Sequence, residues 1–245
     1  MAEATPHFAP IVALLFLGAV FVTGVSVLIA LFGVVRRSKL FARIGIGTAG
    51  AVIAGYLLLL CGASLASSEK VLPPGGWKYF CELDCHIGYS IAGVETRSAL
   101  GPELQQISPQ GQFVTVRLKI WFDEHTISPW RGDAPLTPNA RRVALVDGNA
   151  RRYEESAVAE AKLSRGSTGA VSLRQPLRPG QSFEKDLVFD VPKDAVNLRL
   201  LITEDDPETA LIIGHENSLL HRKIYLGLDS APAITSGISP LASLR

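Results

Sequence analysis

Cys81-Glu82-Leu83-Asp84-Cys85-His86 gathers two of the chain's three cysteines and one of its five histidines in one short stretch. In an oxidising compartment such a thiol pair reads first as a local disulfide. Geometry sets the condition. In an unbroken strand Cys81 and Cys85 share a face but lie ~13 Å apart, at about 3.3 Å per residue. A disulfide needs Cα atoms within ~7 Å. The residues from Trp77 to Ile91 alternate well enough for one long strand, yet so long and flat a strand is uncommon. We therefore expect a turn over Glu82–Asp84 and a Cys81–Cys85 disulfide. Two further chemistries use the same atoms. Two thiolates and an imidazole suit copper(I) or zinc, with Cys81, Cys85 and His86 as ligands and His221, or His215, as a distant one. A redox-active pair is the other, but Glu82 and Asp84 place negative charge beside the sulfurs, which disfavours the thiolate.

The Cys-x-x-x-Cys spacing resembles the ligand loop of binuclear copper centres in terminal oxidases, and that of membrane-anchored copper chaperones. This chain departs from the first in having Tyr89 where a histidine is wanted, and no methionine but Met1. Its strand order does not suggest the thioredoxin fold of the second. Cys81 to His86 also resembles a c-type haem motif lengthened by one residue. No cofactor is expected; copper is the alternative, and haem c stands behind it.

What positions this stretch is a membrane hairpin. Phe8 to Val35 and Ile44 to Ala66 carry no charge, and each exceeds the ~20 apolar residues a bilayer-spanning helix needs. Arg36, Arg37, Lys39 and Arg43 lie between them with no acidic residue, while the N-terminal tail has only Glu3. By the positive-inside rule that loop is cytoplasmic and everything after Ala66 is extracytoplasmic. The first run lacks the basic start of a signal peptide. Gly47, Ala51 and Gly55, spaced by four, form a stripe expected to pack on the first helix. With so little polar content the hairpin reads as an anchor rather than a transport path.

After residue 67 the chain carries 20 basic and 22 acidic residues. That near-neutral mixture excludes an electrostatic nucleic-acid footprint. Residues 67–88, with Pro73-Pro74-Gly75-Gly76, are expected to be a linker and Cys-containing lead-in. Period-two alternation then predicts strands at Tyr89–Val94, Phe113–Phe122, Leu187–Val191, Leu198–Thr203 and Ile224–Leu228. Val143–Val146 and Arg151–Tyr153 read as a hairpin on a tight Asp147-Gly148 turn. Ser156–Leu163 suggests one short helix. Residues 89–228 thus form a β-sandwich, and 229–245, rich in Ser, Ala, Pro and Gly, a flexible tail. The polar run Gly214 to Lys223 reads as a solvated loop, and Trp77, Trp121 and Trp130 as core or interfacial aromatics.

The segment Leu177-Arg178-Pro179-Gly180-Gln181-Ser182, then Phe183 to Phe189, then Asp190-Val191-Pro192, resembles the bacterial telokin-like, immunoglobulin-type domain family of unknown function, over roughly Tyr89 to Leu228. The resemblance implies an exported, immunoglobulin-like sandwich, often behind an anchor, and no particular reaction. The expected protein is therefore an α-helical transmembrane hairpin followed by an all-β immunoglobulin-like sandwich in the cytoplasmic membrane of a bacterial envelope. No nucleophile elbow, phosphate loop or metalloprotease helix is present. A non-enzymatic interaction or assembly module, serving another membrane or envelope protein, is the expected function. A copper carrier using Cys81, Cys85, His86 and His221 is the alternative.

Overall fold

A computed structural model describes residues 3–4, 9–82, 85–100, 106–164, 172–229 and 231–234. Two apolar helices come first, α1 (Ala9–Val35) and α2 (Lys39–Leu65). Each is 27 residues, so ~40 Å long at 1.5 Å per residue. Their apolar side chains point outward: Leu58 is 75% exposed and Phe21 72%.

The helices meet through small residues, but not the expected ones. A Cβ on Gly45 would lie 2.5 Å from the backbone of Ser26 and Ala30, and one on Gly33 2.3 Å from Ala42 N. Gly45 and Ala49 are buried on α2. Gly47, Ala51 and Gly55 are exposed, and no atom lies within 4 Å of a Cβ on Gly47 or Gly55. The expected stripe is corrected: spacing by four is right, but the seam lies two residues earlier, about 200° around the helix.

The rest is two packed sheets. The strands are β1 (Glu3–Ala4), β2 (Lys70–Leu72), β3 (Trp77–Cys81), β4 (His86–Arg97), β5 (Gln112–Asp123), β6 (Arg141–Val146), β7 (Arg152–Glu154), β8 (Ser182–Val191), β9 (Arg199–Glu204) and β10 (Ile224–Gly227). Sheet I runs β1-β3-β4-β5-β8 and sheet II β2-β10-β9-β6-β7. Both are antiparallel apart from the short edge pairs β1–β3 and β2–β10. The core between them includes Phe80, Ile87, Tyr89, Val116, Leu118, Phe122, Leu145, Leu187, Phe189, Leu200 and Ile202. One short helix, α3 (Ala157–Ser164), packs on β8.

The expected linker is instead part of the sandwich. β2 joins sheet II beside β10, and β3 joins sheet I beside β4. Pro73-Pro74-Gly75-Gly76 carries the chain from one sheet to the other: Gly76 N donates to Pro73 O at 2.9 Å, and Gly75 takes φ +78°, which glycine adopts without strain. The tight Asp147-Gly148 turn is also corrected. Val146 pairs with Arg152, so Asp147–Arg151 close the hairpin, and the positive φ (61°) falls on Ala150. Of the expected flexible tail, Pro232 O accepts from Val94 N at 2.9 Å, so this part lies against β4. Residues 235–245 of that tail lie outside the described residues.

Candidate functional site: an open aromatic groove on sheet I

The Cys-His hairpin shows how the site is built. Cys81 pairs with His86 across β3 and β4, and Glu82 N donates to Cys85 O at 2.8 Å. The chain has therefore reversed direction by Cys85; Leu83 and Asp84 of the expected turn lie outside the described residues. The reversal has a second effect. Side chains alternate along each strand, so Cys81 shares a face with its partner His86, and Cys85 shares the opposite face with Glu82. Cys85 is 1% exposed in the core beside Ile87 and Tyr89. Cys81 follows Trp77 and Tyr79 on the outer face. The expected disulfide is corrected: no bridge joins Cys81 to Cys85, because the turn that brings their backbones together sends the side chains to opposite faces of the sheet.

In the copper set of Cys81, Cys85, His86 and His221, the same parity parts Cys85 from Cys81 and His86, which share the outer face. Among the described residues, the metal-ligating side chains whose donor atoms gather within 4.8 Å are Asp123, Glu124 and His125. His221 turns its Nδ1 to Arg222 O at 2.7 Å. His215 pairs with Glu204 at 3.2 Å.

On the outer face, Tyr79, Gly88, Trp121 and Ser182 form one transverse row across β3, β4, β5 and β8. Trp77 and Trp121 approach to 5.4 Å between ring centroids, and Tyr79 lies 6.4 Å from Trp77 and 6.5 Å from Trp121. Gly88 makes this possible. A Cβ there would stand 2.9 Å from Trp77 Cε3 and 3.0 Å from Tyr79 Cε1. Trp77, Tyr79, Lys119, Trp121, Asp123, His125, Gly180 and Ser182 line a shallow groove of about 560 Å³. The other end of this face is covered: Phe113 and Val188 pack with Ala159 of α3, Leu100 and Ile107. Between the two ends, Arg117 forms a bidentate pair with Asp186 at 2.7 and 2.9 Å.

The groove's polar end is held by the turn after β5. Asp123 Oδ1 accepts from His125 N at 2.9 Å and faces His125 Nδ1 at 3.1 Å. Thr126 Oγ1 donates to Asp123 O and accepts from His86 N, each at 2.9 Å. Ser182, His125 and Asp123 are the residue types of a hydrolytic triad, but no hydrogen bond joins His125 to Ser182 among the described residues, so no activated nucleophile is assembled. What remains is a stacking surface with donors at Lys119, His125 and Ser182 and an acceptor at Asp123. Aromatic rings flanked by a few polar groups are features that binding surfaces carry.

Opposite the groove, on the inner face, lies a buried charge network that the sequence reading missed. Lys78 Nζ, on a side chain 2% exposed, donates to Ile202 O at 2.7 Å, Ile224 O at 2.8 Å and Glu216 Oε1 at 2.8 Å. Burial lowers the Lys78 pKa, and Glu216 counters it. Arg141 of sheet II, its side chain fully buried, pairs with Glu82 and lies with its guanidinium carbon 4.4 Å from the centre of the Phe80 ring. Burial raises the Glu82 pKa, against the pull of Arg141. Burial likewise pushes the Tyr89 phenol up to about 12. At Glu204 burial also favours the neutral acid, but His215 and Arg141 outweigh it and the pKa falls. These pairs join β3 to β6, β9, β10 and the Gly214–Lys223 run.

The fold and groove define a two-sheet β-sandwich behind two apolar helices, with an open aromatic face. The chain belongs to the family described as a domain of unknown function, DUF4352, which matches residues 85–210. Gly88, Trp121, Asp123 and His125 fall inside that match; Trp77, Tyr79 and Cys81 precede it. The chain is similar to a conserved hypothetical protein from Bacillus anthracis (18% identity, TM-score 0.36, covering 51% of this chain and 85% of that one). It is similar also to an uncharacterized β-sandwich protein from Clostridium difficile (11%, 0.38, 66% and 95%). A third likeness is to the secreted protein MPT63 from Mycobacterium tuberculosis (9%, 0.40, 66% and 99%). No curated protein matches the chain.

Proposed function

We propose that this chain is a membrane-anchored, extracytoplasmic binding module that uses the outer face of sheet I to hold a partner in the same envelope, without catalysis. The observation that carries the reading is the open aromatic groove. The Phe113 and Val188 end of the outer face is packed against Ala159 of α3, Leu100 and Ile107, while Trp77 and Trp121 are left partly exposed beside Lys119, Asp123 and His125. Aromatic side chains with a polar rim are what protein-binding surfaces concentrate.

The anchor supports the compartment. Two helices with mean hydropathy 2.6 and 2.1 meet at a basic end, with Arg36 and Arg37 between them and Lys39 and Arg43 in the first two turns of α2, which the positive-inside rule assigns to the cytoplasm. The sandwich then lies outside, and its two antiparallel sheets favour an immunoglobulin-type kinship.

A photo-crosslinking residue at position 121, in the full chain in its native membrane, tests the groove against one at position 158, an exposed site on α3. A discrete adduct from position 121 alone is expected. Equal adducts from both positions, or none from 121, overturn the reading. Protease added to the extracytoplasmic side should digest the sandwich and spare the Arg36–Arg43 loop.

A further inference from the structure

The Gly214–Lys223 run and the short turn before it do not behave as a solvated loop. Leu211 is 47% exposed, Leu219 62% and Leu220 58%. Ser218 Oγ, donating to Ile212 O, ties the two halves of this 207–222 loop together. Among the described residues nothing covers these leucines. Their position relative to α2 suggests what does.

Tyr56 Oη, on α2, donates to Leu211 O at 2.6 Å, and Arg222 N donates to Ser67 Oγ at 2.8 Å. The loop therefore runs alongside the last turns of α2, from Ser67 down to Tyr56. Leu57, Leu58, Leu59 and Leu65 are exposed on the helix over the same stretch. A hydrocarbon core of about 30 Å takes ~20 helical residues. Counted from Arg43, the last charge on α2, the core extends to about residue 63. Tyr56 is then ~10 Å inside it at 1.5 Å per residue, and Leu211 is beside Tyr56.

The loop's own bonding fits that depth. Backbone N–H groups at Thr209, Ile212, His215, Ser218 and His221 donate in turn to the carbonyls of Asp206, Thr209, Ile212, His215 and Ser218. Asn217 Nδ2 donates to Glu204 O and Thr209 Oγ1, each at 2.9 Å. Glu216 is tied to Lys78 and His215 to Glu204. A segment in lipid must satisfy its polar groups internally, and this run of successive turns pairs a share of them within the protein. The loop's exposed charges, Glu208 and Arg222, lie near its two ends, Glu208 one turn before Leu211.

We propose that the 207–222 loop is a lipid-inserting wedge: Leu211, Leu219 and Leu220 enter the outer leaflet beside α2 and seat the sandwich on the bilayer surface. The inference rests on α1 and α2 crossing the membrane. Its consequence is orientational, because Lys78 of sheet I holds Glu216 and Glu204 of sheet II holds His215, which couples this loop to both sheets and so fixes how the groove faces the membrane.

The full chain, reconstituted in phosphatidylcholine and phosphatidylglycerol vesicles, tests it. Leu211→Trp and Leu219→Trp are compared in lipids brominated near the headgroup or near the acyl-chain end. Phe21→Trp, at an exposed position midway along α1, reports the span, and the unsubstituted chain gives the background of its three native tryptophans. The expected result is quenching of both loop tryptophans, strongest from bromines about 5–10 Å below the headgroups, with Phe21→Trp quenched from the acyl-chain ends. Quenching at position 21 with neither loop position quenched overturns the wedge and leaves the anchor standing; a protein partner covering the loop would give the same result. Position 21 unquenched sinks the anchor, and the wedge with it.

Discussion

The two faces of sheet I carry similar residue types to opposite ends. The inner face buries Lys78, Glu82 and Tyr89 against Arg141 and Glu216, with the charges paired across the two sheets. On the outer face, Trp77, Tyr79 and Trp121 lie against a glycine, with Lys119, Asp123 and His125 at the rim of an open groove. Charge inside locks one arrangement, because a buried ion without its partner is costly. The aromatic surface outside is the contact area on which the proposed binding role rests. Residue type alone therefore does not separate the two: the ionic cluster, the usual signal of chemistry, fastens the sheets, and the proposed site is the aromatic face.

Removing one partner of the inner network should break the comparison most strongly. Arg141→Ala leaves Glu82 buried without its cation, and we expect a loss of about 3–5 kcal/mol in denaturant unfolding of the full chain in detergent. A loss under ~1 kcal/mol would show that the network is not a fastener. Gly88→Ala acts on the outer face. Its Cβ meets the Trp77 and Tyr79 rings, so about 1–3 kcal/mol is expected, with a change in tryptophan emission that an inner-face substitution would lack.

The cysteines give the sharpest pairwise test, with a smaller effect. Cys85→Ser puts a hydroxyl into the core and should lose about 1–3 kcal/mol, while Cys81→Ser should stay within about 0.5 kcal/mol. Equal losses that disappear under reducing conditions would restore the disulfide. The smallest expected effect is at the β8 edge, where Lys185 pairs with Glu160 at 2.7 Å and Glu155 at 3.5 Å. Burial, aided by Glu160 and opposed by Lys185, raises the Glu155 pKa from 4.5 to about 7. A raised folded-state pKa stabilises below the unfolded value and loses that contribution as pH rises through the folded one. Stability should therefore fall between pH 4.5 and about 7. Glu155→Gln should flatten that slope and gain on the order of 1 kcal/mol at neutral pH. An unchanged slope would assign it to another group.

Much of the framework was legible. The alternation of Phe113 to Phe122 became β5, one of the two longest strands of sheet I, because period two reads directly as one apolar face. The uncharged runs became α1 and α2. β3 was half legible: its residues alternate, but the two prolines and two glycines before it read as linker, and only its pairing with β4 shows that they cross between sheets. The groove was missed for a related reason. Trp77 and Trp121 are far apart in the chain, and nothing local says that β3, β4 and β5 bring them over Gly88. The signal available was a glycine between Ile87 and Tyr89 in an otherwise strong strand pattern, which marks a close approach.

By itself the sequence determined the kinds of element and their order: two long apolar helices, a basic loop between them, and many alternating strands. Those follow from hydropathy and period, which are properties of neighbours along the chain. The tertiary structure alone decided which face each residue occupies. Cys81 and Cys85 had the chain reversal expected of them and still parted, and the helix seam had its four-residue spacing and still fell on Gly45 and Ala49. A face is set by register, and a shift of one residue in a strand or two in a helix reverses it, a difference that no local pattern records.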